Sequence, residues 1–168
     1  ESEIPNFVEQ LRNAFTAVDD LPMPVIAAIE GAALGGGLEL ALACDLRICS
    51  HSSTLGLPET ALAIIPGAGG TQRLPRALGL QKAKELVYTA ARMKGPEAQE
   101  IGLVMESVPD GTARDRAVEI AQKINAGGPV ALRMAKQAIN KGIQGTLKQG
   151  LEVEKTCYAK VVPTQDRV

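Results

Sequence analysis

The 168-residue chain has no tryptophan, only two tyrosines and two phenylalanines. So few aromatics disfavour RNA modules that stack bases on exposed rings. They also leave the core to be built from Ala, Leu, Ile and Val. There is one histidine, His51, and there are three cysteines, Cys44, Cys49 and Cys157, with no CxxC pair. That disfavours a zinc site and any triad using histidine as its base. Sparse, odd-numbered cysteines suit a reducing compartment better than a disulfide-stapled secreted domain. No run of about 18 apolar residues is free of charge, so no membrane-spanning helix is expected. The 18 basic and 19 acidic side chains nearly cancel, to a net −1. No overall field therefore favours nucleic acid or anionic lipid.

Glycine and proline are plentiful, at 17 and 10, which predicts sharp turns and close backbone approaches. The length suits one domain with a sizeable core. Ile4, Phe7, Val8, Leu11, Phe15 and Val18 recur at helical spacing and predict a helix over 4–20, ended by Pro22 and Pro24. Val25–Ile29 reads as a buried strand and Gly31–Gly37 as a turn. Leu38–Cys44 is apolar on every side, which predicts a buried helix. Strands are expected at Leu46–Cys49, Thr54–Leu57 and Val104–Val108. Pro58 opens a short helical turn, and Thr71 is placed to cap the helix after the Pro66–Gly70 loop. Helices follow over 80–90, 96–102, 112–126, 129–142 and 146–161, with Thr112 and Asp115 resembling a capping box. The order predicts an α/β chain: a mixed strand-and-helix part over 1–109, then a helical region over 110–168.

Two isolated carboxylates carry the strongest chemical signal. Glu39 is the only charged residue from Ala32 to Cys44, and Glu59 the only one from Thr54 to Gly70. Glutamate is seldom buried without a partner or a purpose. A pair in apolar, Gly-rich surroundings suggests a dry cleft where one carboxyl is general acid and the other general base. A second reading is open for each alone. Both lie near a helix N-terminus, where a negative charge is favourable by ~0.3–1 kcal/mol.

Gly35, Gly36 and Gly37 precede the buried helix, where free backbone N–H groups bind anions or a developing oxyanion. Close packing of helix on strand would explain them equally. No Gly-Lys-Ser/Thr follows and the spacing is not GxGxxG, which argues against a phosphate loop or a dinucleotide fingerprint. A second cluster, Gly67, Gly69 and Gly70, lies beyond Glu59. His51 reads as a surface residue, Cys44 and Cys157 as small core hydrophobes, and the lysines mostly as solvated helix faces.

IAAIEGAALGGGLELALACDLRI and GLPETALAIIPGAGGTQRLPRALG together resemble the signature of the enoyl-CoA hydratase (crotonase) superfamily. The likeness continues through KAKELVYTA, EAQEIGLV and GPVALRMAKQAIN to CYAKVVPTQDR. It is nearest to the mitochondrial methylglutaconyl-CoA hydratase group and its enoyl-CoA hydratase relatives. The resemblance implies a crotonase-like ββα spiral core with a helical C-terminal trimerisation region. It also implies hydration of a short- or branched-chain 2-enoyl-CoA by two glutamates. Glu39 would hold and activate the water, and Glu59 would be the main proton donor, the two acting as a coupled pair. Gly36 matches a glycine whose N–H forms half of the oxyanion hole, and Gly67 one whose backbone positions the water.

The same resemblance implies an acyl-CoA thioester as partner and no separate cofactor, since coenzyme A is part of the substrate. It implies a homo-oligomer, a trimer or a dimer of trimers, in the mitochondrial matrix without membrane insertion. Family members also carry a further N-terminal region with an AGAD-like segment, which supplies the second oxyanion donor, and a tail beyond the position of Asp166–Val168. Without these, the alternative expectation is a catalytically impaired, crotonase-fold accessory subunit of a larger mitochondrial complex. RNA binding, attributed to a relative in the group, is disfavoured: the first helix offers Arg12 against Glu9, with Asp19 and Asp20 following.

Overall fold

The computed structural model describes residues 3–165, with side chains from Asn6 onward. The Ile4 side chain and the Asp166–Val168 ending therefore lie outside the described residues. Contacts group the chain into two compact units, 1–20 with 25–118, and 21–24 with 119–168.

The first unit opens with helix α1 (Glu3–Asp19) and then winds through a repeated strand–strand–helix pattern. Strands β1 (Ile26–Ile29) and β2 (Ala32–Leu34) lead into α2 (Gly36–Ala43). Strands β3 (Leu46–Ser50) and β4 (Thr54–Gly56) then lead into a 3₁₀ turn at Pro58–Leu62. β1 pairs in parallel with β3, each residue meeting the one twenty positions on, from Ile26 with Leu46 to Ile29 with Cys49. β2 pairs in parallel with β4. Each circuit thus lays one strand in each of two small sheets, as the ββα spiral expectation requires. Helices α3 (Gly70–Leu78) and α4 (Leu80–Tyr88), strand β5 (Arg92–Lys94), α5 (Gly95–Glu100) and β6 (Glu106–Val108) follow. β6 joins β3 in parallel, while β5 closes the second sheet antiparallel to β4.

Strand β2 falls where glycine and alanine suggested only a turn. A three-residue strand has no periodicity to read, and its pairing with β4 is what makes it a strand. Gly56 shows why β4 and β5 meet so closely: an added Cβ there would clash with the Ala91 carbonyl. The core is aliphatic, as the composition requires, with Leu38, Ile48, Leu55, Leu57, Leu74, Leu103 and Val104 fully buried. Burying each such side chain contributes about 1.5–3 kcal/mol.

Two expected caps are replaced by other groups. Helix α3 starts from Gly69, at φ 117°, with no side-chain cap, so Thr71 does not fill that role. The start of α6 (Ala113–Ile124) is covered from a distance, as Glu30 accepts hydrogen bonds from the N–H groups of Gly111 and Ala113. Thr112 turns its hydroxyl back to the Pro109 carbonyl. The full capping box stands instead at Thr146 and Gln149, at the start of α8 (Leu147–Val161).

In the second unit, α7 (Pro129–Gly142) and α8 form a helical hairpin. A Cβ on Gly150 would lie 3.0 Å from the Gly142 carbonyl oxygen, so the glycines set how closely the two helices approach. Ile139, Ile143, Leu147 and Leu151 are exposed on this unit.

Candidate active site

Glu39 sits in the first turn of α2 and is 3% exposed. A buried carboxylate needs donors, and two come from the start of α3. The N–H of Ala68 donates to Glu39 Oε1 at 2.9 Å and that of Gly70 at 2.7 Å. The PGAGG loop permits this because Gly70 has no side chain. A Cβ there would lie 2.9 Å from each of Glu39 Oε1, Leu57 Cδ1 and Pro66 Cβ. The capping alternative is thus realised at Glu39 in an unexpected form: the glutamate serves the N-terminus of α3, not that of its own helix.

Glu59 is in a different state. It lies in the 3₁₀ turn, which the Thr60 hydroxyl anchors to the Val87 carbonyl at 2.6 Å. Its Oε2 is buried and has no hydrogen-bond partner among the described residues. Burial pushes the carboxyl above its ordinary value. Its own backbone N–H opposes that shift, and the nearby charge of Glu39 adds to it. Glu59 stands in the first turn of its 3₁₀ helix, as the alternative reading expects, but no side-chain cap bond is formed there and Oε2 is left without a partner. A part-buried carboxyl with one unpartnered oxygen and a raised pKa is a candidate for proton transfer.

The glycines of the first cluster have separate reasons. Gly35 has φ 54° and ψ −124°, a backbone conformation that favours glycine. The position of its missing Cβ is 3.3 Å from Glu59 Oε1, so the Glu59 carboxyl lies against the N-terminus of α2. Gly36 and Gly37 are exposed, and a Cβ on either would meet nothing within 4 Å. Close helix-on-strand packing therefore does not explain these two. The first N–H groups of a helix have no partner within it; at the start of α2, Leu38 and Glu39 donate to the Gly35 carbonyl, which leaves Gly36 and Gly37 as the candidate donors to a ligand. Gly67 is glycine because α1 packs on it: a Cβ would sit 2.9 Å from Val8 Cγ1. Its carbonyl accepts from Arg12 Nε at 3.3 Å and Nη2 at 2.9 Å.

The four residues singled out by sequence thus gather in one region of the first unit. Sequence reading missed the donors Ala68 and Gly70, whose only signal was the glycine cluster itself. It also missed Arg12, which had no distinguishing context. A cavity of about 220 Å³ lies nearby, lined mainly by α3 and α4 from Gly70 and Thr71 to Val87 and Tyr88. Gly70 is the one residue it shares with the glutamate region, and neither glutamate lines it. Among the described residues no cluster of His, Cys, Asp and Glu could hold a metal ion, and no helix is long and apolar enough to cross a membrane.

Comparison with known proteins bears on what this arrangement is for. Residues 4–168 match the enoyl-CoA hydratase/isomerase family. The probable enoyl-CoA hydratase 2, mitochondrial, of Arabidopsis thaliana is 54% identical over 167 residues, 99% of this chain and 56% of that protein. The methylglutaconyl-CoA hydratase, mitochondrial, of Homo sapiens is 51% identical over 171 residues, 99% of this chain and 50% of that protein. The crystal structure of an enoyl-CoA hydratase from Bacillus anthracis superposes with a TM-score of 0.97 at 54% identity, over 99% of this chain and 65% of that one. The chain spans about half the length of the two mitochondrial relatives and about two thirds of the bacterial structure. On both the family match and the shared fold, the chain belongs to the enoyl-CoA hydratase/isomerase family.

Proposed function

We propose that this chain carries the acid/base pair and one oxyanion donor of a hydratase that adds water across the 2,3 double bond of a short- or branched-chain 2-enoyl-CoA. The observation that carries the proposal is the contrast between the two glutamates. Glu39 Oε1 is held by two N–H groups, while Glu59 keeps a buried oxygen without a partner. In this reading Glu39 orients the water and takes its proton as the oxygen bonds to C3. The π electrons move onto the thioester carbonyl, giving an enolate whose oxygen is met by the Gly36 N–H. Glu59, whose carboxyl burial raises above its ordinary value, delivers a proton to C2 and so completes the addition of H and OH. Gly67 positions the water through its backbone, and coenzyme A enters only as part of the substrate.

The exposed Ile139, Ile143, Leu147 and Leu151 suit a homo-oligomer such as a trimer or a dimer of trimers. Relatives named as mitochondrial support the mitochondrial matrix as the place of work, although a bacterial relative is equally similar.

The test follows the loss of conjugated enoyl-thioester absorbance with crotonyl-CoA and with 3-methylglutaconyl-CoA. The chain is assayed alone and with flanking sequence matching the relatives' length, beside the Glu39→Gln/Glu59→Gln double variant. Hydration that depends on the glutamates supports the proposal, and the better substrate names the acyl class. Hydration undiminished in the double variant would falsify it.

A further inference from the structure

The geometry points to Arg12 as a positioning residue for Glu39, acting through the peptide bond between Gly67 and Ala68. The chain of contacts is short. Arg12 donates from Nε and Nη2 to the Gly67 carbonyl oxygen. The N–H on the other side of that same peptide unit is that of Ala68, which donates to Glu39 Oε1 at 2.9 Å. In a planar trans peptide the C=O and the N–H point in opposite directions. Fixing the carbonyl toward α1 therefore aims the N–H at Glu39. A guanidinium on the carbonyl also polarises the peptide and strengthens its N–H as a donor.

One stripe of α1 makes the grip. Val8, Arg12, Thr16 and Asp19 follow at helical spacing. Val8 fills the space a Gly67 side chain would need. Thr16 and Asp19 take Arg73 Nη2 at 3.5 and 3.3 Å, and Arg73 Nη1 reaches the Ala68 carbonyl at 3.3 Å. Two guanidiniums thus hold two successive carbonyls of the loop whose N–H groups hold Glu39. Gly70, the second donor to Glu39, is different: its N–H belongs to the Gly69–Gly70 peptide, whereas the Arg12 hydrogen bonds go to the Gly67 carbonyl. The role of this grip in hydration rests on the two-glutamate reading, whereas the coupling of Arg12 to Glu39 does not.

That difference between the two amides makes the test. The intact chain is prepared with Arg12→Ala, Arg12→Gln and Arg12→Lys, and the Ala68 and Gly70 amides are followed by NMR shift and hydrogen exchange. Arg12 is exposed and the bond is solvent-screened, so the expected effect is moderate. With Ala or Gln, the Ala68 amide proton should move upfield and exchange about tenfold faster, Gly70 should change much less, and Lys should restore most of the Ala68 signal. In the hydration assay, kcat should fall by up to about tenfold in the Ala and Gln variants with KM unchanged. An Ala68 amide that does not respond, or equal acceleration of both amides, overturns the proposal, the second outcome marking general loosening. If the parent chain hydrates neither thioester but the Ala68 signature still follows Arg12, the positioning contact stands and only the hydratase reading falls.

Discussion

Carboxylates occur in two polar regions of the first unit, and the fold treats them oppositely. Around the ends of β1, β3 and β6, Glu30 accepts from Gly111 and Ala113 and Asp110 accepts from Ser52. His51 and Ser107 share a 2.9 Å bond, and Ser50 and Ser53 one of 2.7 Å. Backbone N–H groups hold both acidic side chains below their usual range. Around α2 the Glu59 carboxyl is pushed the other way, by burial and by Glu39. Satisfied surface carboxylates tie loops together. A carboxyl kept half-buried with an unpartnered oxygen lowers stability, and chemistry supplies a reason to keep it.

The sharpest break in this comparison is catalytic. Glu39→Gln with Glu59→Gln should lower enoyl-CoA hydration by about 10³-fold or more. His51→Ala with Glu30→Gln should leave it within about twofold, measured in the same absorbance assay. If the second pair matters as much as the first, the distinction between the regions is wrong.

Next in size is steric. Gly70→Ala places a methyl against Glu39, Leu57 and Pro66 together and should cost about 2–3 kcal/mol of unfolding free energy in a urea titration. Gly36→Ala meets open space and should be neutral or stabilising by up to about 1 kcal/mol. A reversed order would mean that Gly36 is kept for packing after all.

Smaller effects follow from protonation. The folded state raises Glu59 above its ordinary 4.5, so folding binds that proton more tightly. The stabilisation from this is fully present below pH 4.5 and is lost as pH rises through the folded value. Glu59→Gln should therefore gain thermal stability relative to the parent as pH rises toward neutral, with the gain vanishing in acid. Glu30 has the opposite sign, being lowered from 4.5. Its contribution is present above pH 4.5 and fades as pH falls through the folded value. Glu30→Gln should therefore be slightly less stable than the parent at neutral pH, with the two converging in acid. Melting curves at several pH values read both signs, and two curves of the same sign would erase the contrast.

Much of this was legible beforehand. Periodicity and proline placed α1, α7 and α8, because those segments carry enough turns for an apolar stripe to show. The isolation of Glu39 and Glu59 among apolar residues marked them as site candidates, because charge is costly there whatever the fold. Other features were not legible. Strand β2 exists only through its pairing with β4, and α6 takes its first-turn acceptor from Glu30, more than eighty residues away.

The sequence by itself determined the aliphatic core, the two unexplained carboxylates and the glycines that any close approach would need, since burial cost and backbone freedom are properties of the residue. Tertiary structure alone decided which carboxylate would be satisfied. The spiral, with its twenty-residue advance, brings the 3₁₀ turn beside the start of α2, and the PGAGG loop turns its N–H groups toward Glu39 and away from Glu59. Hydrogen bonds are directional and short, so which carboxylate is held and which keeps an unpartnered oxygen depends on where distant backbone groups point.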